Sequence, residues 1–197
     1  MNVPPTLASP AGAAADIPYA HFLPARGDLW VFGYGSLMWN PGFEFITAER
    51  AVLHGYHRAF CMYSERHRGT PERPGLVLAL DRGGSCRGIA YRVRRAIAAD
   101  VLAYLWHREM PRYAYLPRRL RVTFRNESAV CVTFIADRAK SNYAGRLTPE
   151  QAAPIIARAV GERGSNRDYL ASTVRHLDEL GIPAGRIHEI LGLVERS

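Results

Sequence analysis

Asp28 to Pro41 reads DLWVFGYGSLMWNP: four apolar residues from Leu29 to Phe32, then Gly33, Tyr34, Gly35 and Ser36, then an apolar return at Leu37. So apolar a run has the character of a strand inside a sheet, and the two glycines at its end allow backbone conformations closed to other residues and a close approach of another group. From the residues alone, the interruption is either a bulge or tight barrel bend, or a ligand-holding turn. In the second case successive N–H groups converge on a carboxylate or carbonyl oxygen and Ser36 adds a hydroxyl. The spacing matches neither GxGxxG nor GxxxxGK[ST], so it implies no dinucleotide or nucleoside triphosphate. It also lacks the GxSxG elbow of a nucleophilic serine.

Outward from this strand the hydrophobic period changes once. Apolar and aromatic clusters bounded by Gly, Pro or charged turns predict strands at 52–62, 76–80, 87–93, 120–125 and 130–136. Helices then dominate. Thr148 is placed to cap a helix running to about Arg163, with Pro149 at its first position and Gln151 at its third; Ser165 caps a second helix ending near Gly181, and Pro183 opens a third. Another helix, about 96–110, interrupts the strands. Short strands with segregated helices predict an α+β fold on a small mixed β-barrel rather than a doubly wound sheet.

The composition, 48% hydrophobic and 22% charged over 197 residues, is that of one soluble globular domain. Its boundaries are expected at 28 and 197, behind a loose, flexible Ala/Pro-rich extension, 1–27, that has neither the basic start nor the apolar centre of a signal peptide. No stretch reaches membrane-spanning length. The net charge is +8, yet the basic residues are scattered without a dense run, so a nucleic-acid partner is not expected. Cys61, Cys86 and Cys131 form no CxxC and no even set, which argues against disulfides and thiolate zinc and for a reducing cytoplasm. His54 and His57, three apart in a strand, do not share a face, so no metal site is expected there. The sequence carries no sign of oligomeric state.

The inserted helix, AIAADVLAYLWHREMP, places Ala98, Val101, Leu102 and Leu105 on one face at spacings of three and four, with Glu109 continuing it while His107 and Arg108 point elsewhere. A carboxylate at the end of a core-facing stripe is either a frayed, solvated group paired to Arg112 or Arg118, or a desolvated one whose raised pKa suits a general base. Ser64 to Gly75, SERHRGTPERPG, is a polar loop that is either solvated or turns Arg66, His67 and Arg68 towards an acidic ligand. In GSNRDYL, Tyr169 falls in a helix's first turn, as a core residue or a site residue.

Together VFGYGSLMWNPGFEF, GYHRAFC, RGTPERPG, GIAYRV, LWHREM, YLPRR and GSNRDYL resemble, in the same order from Asp28 to Gly181, the bacterial members of the ChaC-like gamma-glutamylcyclotransferases. The resemblance implies a barrel-centred α+β fold and a cytoplasmic enzyme that cleaves glutathione into 5-oxoproline and Cys-Gly without a cofactor. By position it makes Glu109 the catalytic carboxylate. It makes Val31, Phe32, Gly33, Tyr34, Gly35, Ser36 and Leu37 the gamma-glutamyl site, with Tyr169 supporting.

Overall fold

A computed structural model describes residues 18–110, 115–125 and 127–197. Five strands close a barrel in the order β1 (Leu29–Gly33), β3 (Gly75–Val93), β2 (Thr47–Ser64), β4 (Tyr115–Phe124) and β5 (Glu127–Ala136). Neighbours in that order are antiparallel, and β5 meets β1 in parallel with Val31 opposite Val132. The result is the mixed barrel of an α+β fold, filled by side chains such as Phe32, Leu53, Leu80 and Phe134.

The sequence suggests two strands where β3 is one. A straight strand the length of β2, 18 residues, would run roughly 60 Å, so both long strands must bend to stay on the barrel. The β2–β3 register shifts between His54 and Tyr56 and again between Phe60 and Met62. Opposite the first shift, Gly83 and Gly84 take φ of 101° and 68°, a left-handed conformation that only glycine adopts cheaply. The segment 81–85, DRGGS, is therefore this bend and not a turn between separate strands.

Helix α1 (Ala98–Glu109) follows a single 3-10 turn, and α2 (Pro149–Arg158), α3 (Asn166–Glu179) and α4 (Arg186–Glu195) pack on one another after the barrel is complete. At α2 the expected capping box is present: Gln151 N–H donates to Thr148 Oγ1 and Thr148 N–H to Gln151 Oε1. The helix stops at Arg158 rather than Arg163. Tertiary contacts take the chain over, because Glu162 and Arg163 donate their N–H groups to the carbonyls of Arg66 and His67 at 2.8 and 3.0 Å, and β6 (Val160–Gly161) pairs with β7 (Gly164–Ser165).

Residues 1–17 of the expected extension lie outside the described residues. Its end is not loose: Ala20–Phe22 form a 3-10 turn, Phe22 is buried, and the rings of Tyr19 and Phe22 each stand 5.7 Å from that of Trp106. Among the described residues no helix is long and apolar enough to cross a membrane.

Candidate active site

After Gly33 the chain leaves the β1 ladder and enters a 3-10 turn, Ser36–Met38. Its carbonyls are engaged. Thr133 donates its hydroxyl to Phe32 O at 2.9 Å, Arg58 Nε donates to Tyr34 O at 2.5 Å, Met38 N–H reaches Gly35 O at 2.8 Å, and the Tyr91 hydroxyl serves Leu37 O and Met38 O. The N–H groups of Gly35, Ser36 and Leu37 have no protein acceptor among the described residues, as is general for the first donors of a helical turn. A turn with its acceptors used and its donors free can hold an anionic oxygen.

The side chains of Val31, Phe32 and Leu37 point into the core, so these three offer only main chain to a ligand, while Tyr34 is buried beside the turn. Gly35 has φ of −131° and ψ of −132°, so it does not occupy the left-handed region. A Cβ there would make ordinary contact with Leu78 at 3.5 Å, whereas one on Gly33 would press to 3.0 Å from the Leu37 Cβ.

Helix α1 buries Ala98, Val101, Leu102 and Leu105, the stripe that its spacing predicts, and Glu109 closes the helix at the end of that stripe with its side chain only 19% exposed. Burial raises its carboxyl pKa and the Arg108 guanidinium opposes the rise, leaving it above the usual carboxylate value. The Tyr34, Tyr115 and Tyr169 hydroxyls are likewise pushed up, first by burial and then in part by the charge of Glu109, so one carboxyl and three phenols share a buried neighbourhood.

Arg108 does not point away. Successive helical residues diverge by about 100°, but the long side chain folds back, and its Nε lies 3.1 Å from Glu109 Oε1. Its Nη2 donates to Ser36 Oγ at 2.8 Å and its Nη1 to Asn40 O at 2.7 Å and Tyr104 Oη at 2.8 Å. A single guanidinium thus joins the carboxyl to the glycine turn.

Tyr169 is seated by the polar loop. Asn166, fully buried at the start of α3, donates to Leu76 O at 2.8 Å and accepts from Leu76 N–H at 2.6 Å. Arg68 donates to Arg163 O and Ser165 O, and its guanidinium lies 4.9 Å from the centre of the Tyr169 ring, which packs edge-on against Phe60. Arg66 pairs with Glu162 at 2.7 Å. The loop is a dock for β6 and β7 and so for α3.

The structure therefore gathers the glycine turn, Glu109 and Tyr169, and adds Arg108, which the sequence reading turns elsewhere, and Arg58 and Tyr115, which it passes over. Arg58 left a signal: it lies two residues before the buried Phe60 on one strand, hence on the same face. Arg108 and Tyr115 left none, since one depends on a long side chain folding back and the other on where β4 begins. The three cysteines are buried thiols, and burial pushes Cys61 and Cys131 up to about 12, far from a reactive thiolate. Among the described residues no cluster of three or more His, Cys, Asp or Glu could hold a metal ion.

A family profile described as ChaC-like protein matches residues 29–196, which span the whole barrel and its helices. The chain belongs to the ChaC-like family. Its relatives include the glutathione-specific gamma-glutamylcyclotransferase of Escherichia coli (strain K12), 38% identical over 88% of this chain and 75% of that protein. Glutathione-specific gamma-glutamylcyclotransferase 1 of Homo sapiens is 34% identical over 86% of this chain and 77% of that one. The crystal structure of a yeast gamma-glutamyl cyclotransferase specific to glutathione superposes with a TM-score of 0.77 at 22% identity, covering 87% of this chain and 97% of that one, and so shares the ChaC-like chain's fold.

Proposed function

We propose that this chain is a glutathione-specific gamma-glutamylcyclotransferase in which Glu109 is the general acid and base and the Val31 to Leu37 segment holds the gamma-glutamyl group. The observation that carries the assignment is the Arg108 bridge, which ties a largely buried carboxyl of raised pKa to a turn with free N–H donors.

A gamma-glutamyl amide contains its own nucleophile. Once Glu109 has taken a proton from the substrate's alpha-ammonium, the amine nitrogen attacks the gamma-carbonyl carbon and closes a five-membered lactam, an intramolecular step with a large effective molarity. As the bond to the cysteine nitrogen breaks, Glu109 returns that proton to it and the ring nitrogen gives up its second proton, so the two protons leave on the ammonium of Cys-Gly and 5-oxoproline is released as the neutral lactam. The free N–H groups of Gly35, Ser36 and Leu37 supply donors for the substrate carboxylate or the developing oxyanion in a site screened from water. Tyr34 and Tyr169 wall the site with phenols kept neutral by burial. This chemistry calls for no cofactor, and a reducing cytoplasm, where both glutathione and the buried thiols stay reduced, is the matching compartment.

The test is release of 5-oxoproline from glutathione compared with gamma-glutamyl amino acids and gamma-glutamyl amines. Glutathione is expected to have the highest kcat/KM; a clear preference for another gamma-glutamyl compound would keep the reaction and replace the substrate.

A further inference from the structure

Away from Glu109, β2, β3, α2 and α4 enclose a cavity of about 300 Å³, the small end of the range for ligand sites. Its lining residues include the apolar Ile187 and Ile190 and four arginines, Arg58, Arg82, Arg146 and Arg186. The carboxylate in its wall, Asp81, is already engaged: Arg138 holds Oδ1 at 2.7 Å, the Tyr143 hydroxyl donates to Oδ2 at 3.1 Å, and Arg146 stands 3.9 Å from Oδ2. Arg58, Arg82 and Arg186 form no ion pair within 4 Å among the described residues, and Arg186 stands near Glu150, whose carboxyl it helps to hold down.

Arg58 belongs to both walls, since it binds the glycine turn and also lines this cavity. It is half-buried, with Nε committed to Tyr34 O and Nη2 to Arg87 O at 2.6 Å, and its Nη1 makes no hydrogen bond among the described residues. Desolvation lowers its pKa, as expected of a cation without a counter-charge. An anion would relieve this excess of positive charge, and guanidinium forks match phosphate and carboxylate oxygens in pairs.

We propose that this cavity is a second binding site, separate from the Glu109 site, for a small organic dianion that carries its charged head on an apolar body. The head meets the unpaired guanidinium groups and the body lies on Ile187 and Ile190.

Phenyl phosphate is the probe for the full chain, followed by amide NMR, with inorganic phosphate and benzyl alcohol as its two halves. Phenyl phosphate is expected to bind about tenfold or more tightly than either half, a difference of about 1.4 kcal/mol, with shifts centred on the Gly83–Gly84 bend and the start of α4. The double variant Arg82→Ala, Arg186→Ala should weaken that binding by about tenfold or more, while turnover of glutathione without phenyl phosphate stays close to that of the parent. Unchanged binding by the variant, shifts centred on Glu109, or inorganic phosphate binding as well as phenyl phosphate, meaning an adventitious ion only, would each overturn the proposal. Loss of glutathione turnover by the parent itself would contradict the proposed function and leave the cavity result standing.

Discussion

At the scale of the residue, Glu109 combines two effects whose signs oppose one another. A carboxyl whose pKa is raised by folding binds its proton more tightly in the native than in the unfolded chain. Stability then falls as pH rises from the unfolded carboxylate value through the native one. Glu109→Gln should therefore be at least as stable as the parent at neutral pH, with any gain vanishing in acid, while losing about 10² to 10⁴ in rate because positioning alone does not move a proton. Urea unfolding at two pH values and steady-state turnover check both halves together; turnover within a fewfold of the parent would remove Glu109 as the base. Arg108 acts in the reverse direction on the same carboxyl. Arg108→Met should move the acid limb of kcat/KM to higher pH and raise KM by loosening the turn at Ser36 and Asn40, with Arg108→Lys partly restoring the limb through its charge but not the forked contacts. An unmoved limb in Arg108→Met would show that the pair does not set the titration.

At the scale of the element, the site rests on close approaches. A Cβ on Gly75 would lie 2.1 Å from Arg68 O and 2.7 Å from Asn166 Oδ1, so Gly75→Ala should force apart β3, the polar loop and α3. The expected cost is about 1–3 kcal/mol from overpacking, read as a lower urea midpoint, with a larger fall in kcat/KM than stability alone explains because Tyr169 loses its seat. A variant with normal stability and normal turnover would mean that the Asn166–Leu76 bonds do not position Tyr169. Local chemistry was legible wherever it was self-contained. The α1 stripe, the Thr148 capping box and the Ser165 cap all follow from residues within one or two helical turns. What distant contacts decide was not legible: α2 ends early because Arg66 and His67 capture the next N–H groups, and β3 runs on through DRGGS because β2 keeps pairing beside it.

For the whole molecule, the switch from period-two clusters to helical spacing sufficed for a mixed barrel with appended helices, since that pattern reports which faces must be buried. It did not reveal that Arg58 from β2, Arg108 from α1 and Tyr115 from β4 converge on the turn, because convergence belongs to barrel closure rather than to any one segment. The same closure buries Cys61, Cys86 and Cys131, so treatment of the folded enzyme with a thiol-alkylating reagent should leave turnover unchanged, as should EDTA. Inactivation by the alkylating reagent, tracked to one cysteine by mass spectrometry, would bring a thiol into the mechanism.

The most direct test follows the oxygen. Turnover of glutathione in water labelled with heavy oxygen, with products read by mass spectrometry, distinguishes attack by the substrate's own amine from attack by water. Intramolecular cyclisation at Glu109 predicts 5-oxoproline and Cys-Gly in equal amounts with no heavy oxygen in either. Glutamate bearing heavy oxygen as the first product would contradict it.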